Sequence, residues 1–335
     1  MGLFLPIKKR IERSSLKEVL LKMLQISVVY KIYSKIYFNK AKKVVSQNLK
    51  PKAIFVETFN VCNARCTMCP YIKMTRKKEV MDMDFFCKII DDAKKEGIKR
   101  IGLHFYNEPL MDPHFLKRVE YVKKKDLEVL FFSNGSLMNK EVADNILSSK
   151  VDEIYFSVDG ATKETYEKIR GGLHYETTRS NIRYLKKERD RRNLREPKMY
   201  INFVIQRSNL SEKISLLESW NSFVDKINWG YVDNRNNSGW KQNKSKPFPC
   251  RRLWDGFQVM SNGKVALCCV DYDGQAILGD LKKQTMSEIW QGKTFTKIKE
   301  LHLKGEGDKI SLCKNCSQLY EESAFSWWFK RDITL

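Results

Sequence analysis

The stretch Asn60-Val-Cys-Asn-Ala-Arg-Cys-Thr-Met-Cys-Pro-Tyr71 places Cys62, Cys66 and Cys69 at the spacing C-x3-C-x2-C, directly after the apolar run Ala53–Phe59. Three thiols this close in sequence fold into one loop. Such a loop suits a [4Fe–4S] cluster whose fourth iron has no protein ligand and stays open to a small molecule. Zinc is the alternative, although its structural sites recruit four ligands and favour C-x2-C pairs.

Outward from this loop, strand-like runs alternate with helical ones. Ala53–Phe59, Arg100–Phe105, Glu128–Ser133, Glu153–Val158, Met199–Gln206 and Lys226–Val232 read as strands. Helical patterns fill 82–96, 113–124, 139–149, the stretch up to about Arg192, and 211–223. This alternation predicts an α/β fold, a partial (β/α)6 TIM-like barrel, with its ligand site outside the carboxyl ends of the strands. Asn234–Lys246, rich in Asn, Ser, Gly and Lys, reads as a linker. The expected organisation is therefore a basic amphipathic helical segment over 1–50, the barrel over 51–235, a linker over 236–247 and a small C-terminal domain with its tail over 248–335.

The formal net charge is +22, and residues 1–50 hold twelve Lys or Arg against Glu12 and Glu18. Leu16, Val19, Leu20, Met23, Leu24, Val28, Ile32 and Ile36 recur among them at helical spacing. Such a helix packs on the barrel exterior or touches a membrane surface or an acidic partner. Lys22, Lys31 and Lys35 interrupt it too often for a spanning segment. Nine cysteines without a secretory-type leader fit a reducing cytoplasm, anaerobic or microaerobic, where thiols serve metals.

The strand ends add motifs that together resemble the radical S-adenosylmethionine (SAM) superfamily across roughly 53–235. Tyr106-Asn107-Glu108-Pro109 is similar to the family's Gly-Gly-Glu-Pro turn, although Tyr106 and Asn107 stand where glycines are usual. Ser133-Asn134-Gly135 and Ser157-Val158-Asp159-Gly160 resemble its later strand-end turns. The resemblance implies that Cys62, Cys66 and Cys69 hold the cluster and that Glu108 assists at the cofactor's amino group. It also puts Asn134, Ser157, Asp159, Arg170, Gln206 and Asn209 around the rest of the cofactor, with Arg170 suited to its carboxylate. The implied chemistry is reductive cleavage of SAM to a 5′-deoxyadenosyl radical that takes a hydrogen atom from an unactivated carbon. A reductase such as flavodoxin or ferredoxin would supply the electron.

A second cysteine set follows the linker. Cys250-x12-Gly263-x4-Cys268 and Cys313-x2-Cys316 resemble a SPASM or shorter twitch domain, which implies one auxiliary [4Fe–4S] cluster on these four cysteines; four-cysteine zinc is the alternative. Ser261-Asn-Gly-Lys264 reads as a hairpin turn, with Cys268 on the returning strand and Cys269 facing the opposite way. Cys269 is a hydrogen-atom donor, a spare ligand or a small buried residue. The histidines at 104, 114, 174 and 302 form no ligand pattern.

The expected activity is a radical SAM oxidoreductase or epimerase acting on a carbohydrate- or aminocyclitol-like small molecule. Modification of a ribosomal peptide is the alternative. From another class, the charge would suit a basic RNA-associated iron–sulfur or zinc protein, but no aromatic-basic reading motif accompanies it, so a nucleic-acid partner is not favoured.

Overall fold

In a computed structural model the residues described are 35–36, 39, 51–231, 249–250, 252–314 and 316. The expected helix of 1–50, apart from three of its positions, and the linker of 236–247 lie outside them. The chain divides into two compact units. One comprises Met1–Leu49, Gln242–Arg251 and Ile298–Leu335; the other comprises Lys50–Lys241 and Arg252–Lys297.

The second unit contains the barrel. Its strands are β1 (Ala53–Val56), β3 (Arg100–Gly102), β4 (Glu128–Ser133), β5 (Glu153–Ser157), β7 (Lys198–Ile205) and β8 (Lys226–Tyr231), paired in that order and all parallel. Helices α1 (Met83–Lys95), α2 (Phe115–Lys124), α3 (Lys140–Ser148), α4 (Lys163–Ile169), α5 (Tyr175–Arg191) and α6 (Lys213–Trp220) lie between them in sequence. Polar residues start several of these helices where the sequence turns from loop to periodic pattern. Asp82, Asn139 and Thr162 each accept the backbone N–H three residues on, at 2.9, 2.9 and 3.3 Å.

Alternation along the strands separates two faces of the sheet. Ile54, Val56, Ile101, Val129, Phe131, Ile154, Phe156, Met199 and Ile201 are all fully buried on one of them. Each contributes on the order of 1.5–3 kcal/mol by leaving water. Phe55, Phe132, Tyr155, Tyr200 and Asn202 lie on the other face and are only half-buried. That face is the concave interior of an open barrel.

Three strands beyond the six of the barrel extend this sheet. β9 (Gly256–Val259) pairs parallel to β1, β10 (Lys264–Ala266) turns back antiparallel to β9, and β11 (Ile277–Asp280) pairs with β10. The hairpin turn forms as the sequence predicts, with Gly263 at φ +89° and Met260 N–H donating to the Lys264 carbonyl at 2.9 Å. The returning strand, however, ends at Ala266, so Cys268 and Cys269 lie beyond it and strand alternation does not orient them. A loop over 267–276 ends the strand. Leu267 N–H donates to the Ala276 carbonyl, and the buried Asp271 carboxylate accepts from Gln275 N–H and Ala276 N–H at 2.7 and 2.9 Å.

Candidate active site at the strand ends

The cysteine loop is tied to the chain that follows strand β5. A two-residue strand β2 (Arg65–Cys66) pairs antiparallel with β6 (Arg170–Gly171), opposing Cys66 to Arg170, and Thr67 N–H donates to the Ile169 carbonyl at 2.9 Å. A Cβ at Gly171 would come 2.9 Å from the Arg65 carbonyl oxygen, so this close pairing requires glycine there. The Arg170 guanidinium reaches Cys66 Sγ at 3.5 Å and the fully buried Asp159 carboxylate at 2.5 Å. The cation the sequence offers to the cofactor carboxylate is thus already paired with another predicted site residue.

Burial pushes the Cys62 thiol up to about 12 and that of Cys69 to about 11. Without iron both stay protonated, and iron binding must displace the protons. Backbone N–H groups oppose this shift, Ala64 N–H reaching Cys62 Sγ at 3.5 Å. No three His, Cys, Asp or Glu side chains among the described residues gather at single-ion distance. A four-iron cluster spreads its thiolates more widely than one ion does, and a three-thiol loop with N–H donors fits it.

Glu108 joins the next two strand ends. Its buried carboxylate accepts from Ser133 Oγ at 2.8 Å, Asn134 N–H at 2.7 Å and Leu110 N–H at 3.3 Å. Burial still outweighs these bonds and raises its carboxyl to about 7. Asn134 in turn donates from Nδ2 to Asn63 Oδ1 at 2.8 Å, lacing its turn to the cysteine loop. Ser157 ends β5 on the concave face.

Asn209 bonds backbone groups at the end of β7. Its Nδ2 donates to the carbonyls of Asp159 and Val204 at 2.9 and 3.0 Å, and its Oδ1 accepts from Gln206 N–H at 2.8 Å. The amide is consumed in holding the end of β7, because buried backbone groups there need partners. Gln206 keeps a buried Nε2 without a hydrogen-bond partner among the described residues, as do Asn107 Nδ2, Arg170 Nε and His104 Nδ1. Unsatisfied buried donors at successive strand ends suit a ligand with carboxylate and hydroxyl groups that accept from them.

Sequence reasoning passed over three of these features. His104 stands on the concave face, its ring 5.3 Å from that of Phe55 and 4.3 Å from that of Phe132. Burial lowers its imidazole to about 3, so it is neutral. Asn107 Oδ1 accepts from Phe105 N–H at 2.8 Å, an order that glycine could not supply. Fully buried Glu57 accepts Arg76 through both guanidinium nitrogens at 2.7 and 2.9 Å, and Tyr106 N–H and Ser261 N–H at 3.3 Å each. The one charge in the apolar run Ala53–Phe59 was the available signal.

In the C-terminal part, Cys268 lies in the unit that contains the barrel, whereas Cys250, Cys313 and Cys316 lie in the other. Within the latter, Cys250 N–H donates to His302 Nδ1 at 3.2 Å, and Cys316 N–H to the Cys313 carbonyl at 2.9 Å. Cys269 Sγ accepts from Arg252 Nη1 at 2.7 Å.

Residues 56–194 match the radical SAM superfamily and residues 250–317 match SPASM, an iron–sulfur cluster-binding domain. The chain therefore carries a radical SAM domain and a SPASM domain, and the two matches imply SAM and [4Fe–4S] clusters as its cofactors. It is 29% identical to the tungsten-containing aldehyde ferredoxin oxidoreductase cofactor-modifying protein of Pyrococcus furiosus over 48% of this chain and 46% of that protein. Against the SAM-dependent 2-deoxy-scyllo-inosamine dehydrogenase of Niallia circulans it is 21% identical, over 79% of this chain and 92% of that one. Among solved structures, BtrN with AdoMet and 2-DOIA aligns with a TM-score of 0.56 and 18% identity, covering 80% of this chain and 93% of BtrN. Streptococcus suis SuiB bound to its precursor peptide aligns at 0.63 and 14%, covering 84% and 73%. At these identities the structural likeness is one of fold. No helix among the described residues is long and apolar enough to cross a membrane.

Proposed function

We infer that this enzyme abstracts a hydrogen atom from a carbohydrate- or aminocyclitol-like small molecule, with dehydrogenation ahead of epimerisation. The observation that carries this reading is the concave barrel face. There the rings of Phe132, Tyr155 and Tyr200 stack at 4.7 Å intervals, and the Asn202 and Asn228 amides bond each other at 3.2 Å beside Ser157. Aromatic rings and neutral amides suit a molecule with apolar C–H faces and many hydroxyls. The relative that acts on 2-deoxy-scyllo-inosamine, matched over 92% of its length, supports the same class.

When bound, the cluster supplies the electron that cleaves SAM. The chain's own residues would do the rest. Cys62, Cys66 and Cys69 would hold that cluster. Glu108, Asn134, Ser157, Asp159, Arg170 and Gln206 would frame the cofactor, Arg170 and Asp159 acting as a pair. Cys250, Cys268, Cys313 and Cys316 would hold an auxiliary [4Fe–4S] cluster. In an epimerase Cys269 would return a hydrogen atom from the opposite face; in a dehydrogenase it would be structural. A reducing cytoplasm suits both clusters.

The test is a panel of deuterated polyols, aminocyclitols and short peptides incubated anaerobically with SAM and reductant. Deuterium entering 5′-deoxyadenosine from an aminocyclitol or polyol is the expected result. Transfer from a peptide alone would move the assignment to peptide modification, the chemistry favoured by the SuiB likeness.

A further inference from the structure

The loop over 267–276 opens with Cys268, whose carbonyl accepts Asp271 N–H at 3.2 Å. Its next residues reach the chain that leaves the first cysteine loop. Asp273 accepts Thr75 N–H at 2.8 Å and the Thr75 hydroxyl at 3.1 Å, one carboxylate oxygen for each. The neighbouring Tyr272 carbonyl accepts Arg76 Nε at 2.6 Å. Thr75 lies two residues beyond the 3₁₀ turn Pro70–Lys73, which starts directly after Cys69 and whose Tyr71 hydroxyl accepts Cys62 N–H at 2.9 Å. A loop from the last third of the chain therefore grips the segment that follows the first three cysteines.

From Arg76 the contacts run inward. Its two Nη groups hold the fully buried Glu57, and that carboxylate also accepts Tyr106 N–H, in the turn that presents Glu108, and Ser261 N–H, at the tip of the β9–β10 hairpin. The Tyr106 and Tyr272 rings meet edge to face with centroids 5.8 Å apart. A guanidinium is planar and rigid, so one whose Nε is fixed by Tyr272 and whose Nη groups are fixed by Glu57 has a single orientation. Glu57 cannot release it cheaply, because a buried carboxylate without its cation is costly. Where the 267–276 loop sets the Tyr272 carbonyl, Arg76 follows, and with it Glu57 and the Tyr106 N–H.

We propose that Asp273 is a positioning residue for SAM binding, an inference that rests on reading Glu108 as part of the SAM site. By fixing Thr75 and Arg76, Asp273 holds the Glu57 clamp that sets the Tyr106–Glu108 turn. The loop that opens with Cys268 thus completes a site whose other residues come from the first half of the chain. Linkage makes the effect reciprocal: a loop that strengthens SAM binding is itself held more firmly once SAM is bound.

The test uses the anaerobically reconstituted holoenzyme with SAM as the probe. Removing Arg76 would strand Glu57 as a buried unpaired charge, so the changes are made at the exposed Thr75 end of the network. Asp273→Ala should weaken SAM binding about fivefold or more in calorimetry, with iron content unchanged. Asp273→Asn, whose Oδ1 still accepts Thr75 N–H, should recover most of the loss. Thr75→Val should weaken binding by a smaller factor in the parent protein and not at all in the Asp273→Ala background, because both changes break the same contact. In deuterium exchange followed by mass spectrometry, SAM should slow exchange across 267–276 in the parent protein and leave it unchanged in Asp273→Ala. Asn139→Ala removes the cap of α3 and is the control for lost stability; it should leave SAM affinity as it is. Unchanged affinity in Asp273→Ala would overturn the proposal, as would equal weakening by Asn139→Ala. Unchanged affinity above pH 7 in Glu108→Gln would overturn the reading of the SAM site beneath it, a failure distinct from that of Asp273.

Discussion

The two cysteine sets are assembled on different scales. Cys62, Cys66 and Cys69 fall in one loop between β1 and α1, and their orienting contacts, from Ala64, Tyr71 and Arg170, come from the unit that carries them. Cys250, Cys268, Cys313 and Cys316 come from stretches far apart in sequence and are divided between two compact units. Loop closure over seven residues costs little chain entropy, whereas a site drawing on all four cysteines of the second set would need the fold to exist first. The first set should therefore load as a local motif and the second as a product of folding.

The sharpest way to break this contrast is to remove the sets one at a time. Replacing Cys62, Cys66 and Cys69 with Ala should abolish 5′-deoxyadenosine formation and remove half of about eight iron per chain. Cys268→Ala or Cys313→Ala should remove the other half and leave SAM cleavage measurable in the absence of substrate. Zinc found at the second set by elemental analysis would end the auxiliary-cluster assignment.

A smaller effect tests the tie between the first loop and the barrel. Arg170→Met leaves Asp159 charged and fully buried without its partner, which should cost about 3–5 kcal/mol in urea unfolding. Lys88→Met, at an exposed helical pair, should cost less than about 1 kcal/mol.

Glu108 provides a pH signature confined to the first site. Its carboxyl, raised to about 7, is ionised above that pH and can accept the cofactor's ammonium group; below it, protonation competes with binding. SAM affinity measured by calorimetry should be full above pH 7 and fall by up to about tenfold per unit as pH drops below it. Glu108→Gln should flatten the profile, and Cys268→Ala should leave its shape intact.

The smallest change is expected at Cys269. Cys269→Ala should alter neither iron content nor SAM cleavage. With the true substrate, loss of an inverted product while 5′-deoxyadenosine still forms identifies an epimerase. Unchanged ketone formation, followed by mass spectrometry, supports the oxidative reading.

The positions of the six barrel strands follow from the chain alone, because alternating apolar runs and capped helical patterns are local. Glu153–Val158 as read and Glu153–Ser157 as folded differ by one residue. The radical SAM domain was legible for the same reason: its cysteine spacing and its Asn-Gly and Asp-Gly turns are contiguous. The hairpin at Ser261–Lys264 was legible, but β11 and the joining of β9 to the barrel sheet were not, since β9 becomes part of that sheet only by pairing with β1 across some two hundred residues of sequence. Nor could periodicity show that the returning strand stops before Cys268, which Asp271 decides through the loop it closes.

The chain's order of residues determined which groups are available: three clustered thiols, four dispersed ones, and polar residues after each strand. Tertiary structure decided how they are used. It paired Arg170 with Asp159, committed Asn209 to backbone, and brought His104 and Asn107 into the site. A residue's type fixes what bonds it can make, but burial fixes which it must make, since in a dry interior every charge and donor needs a partner. That partner comes from whichever strand the fold sets beside it.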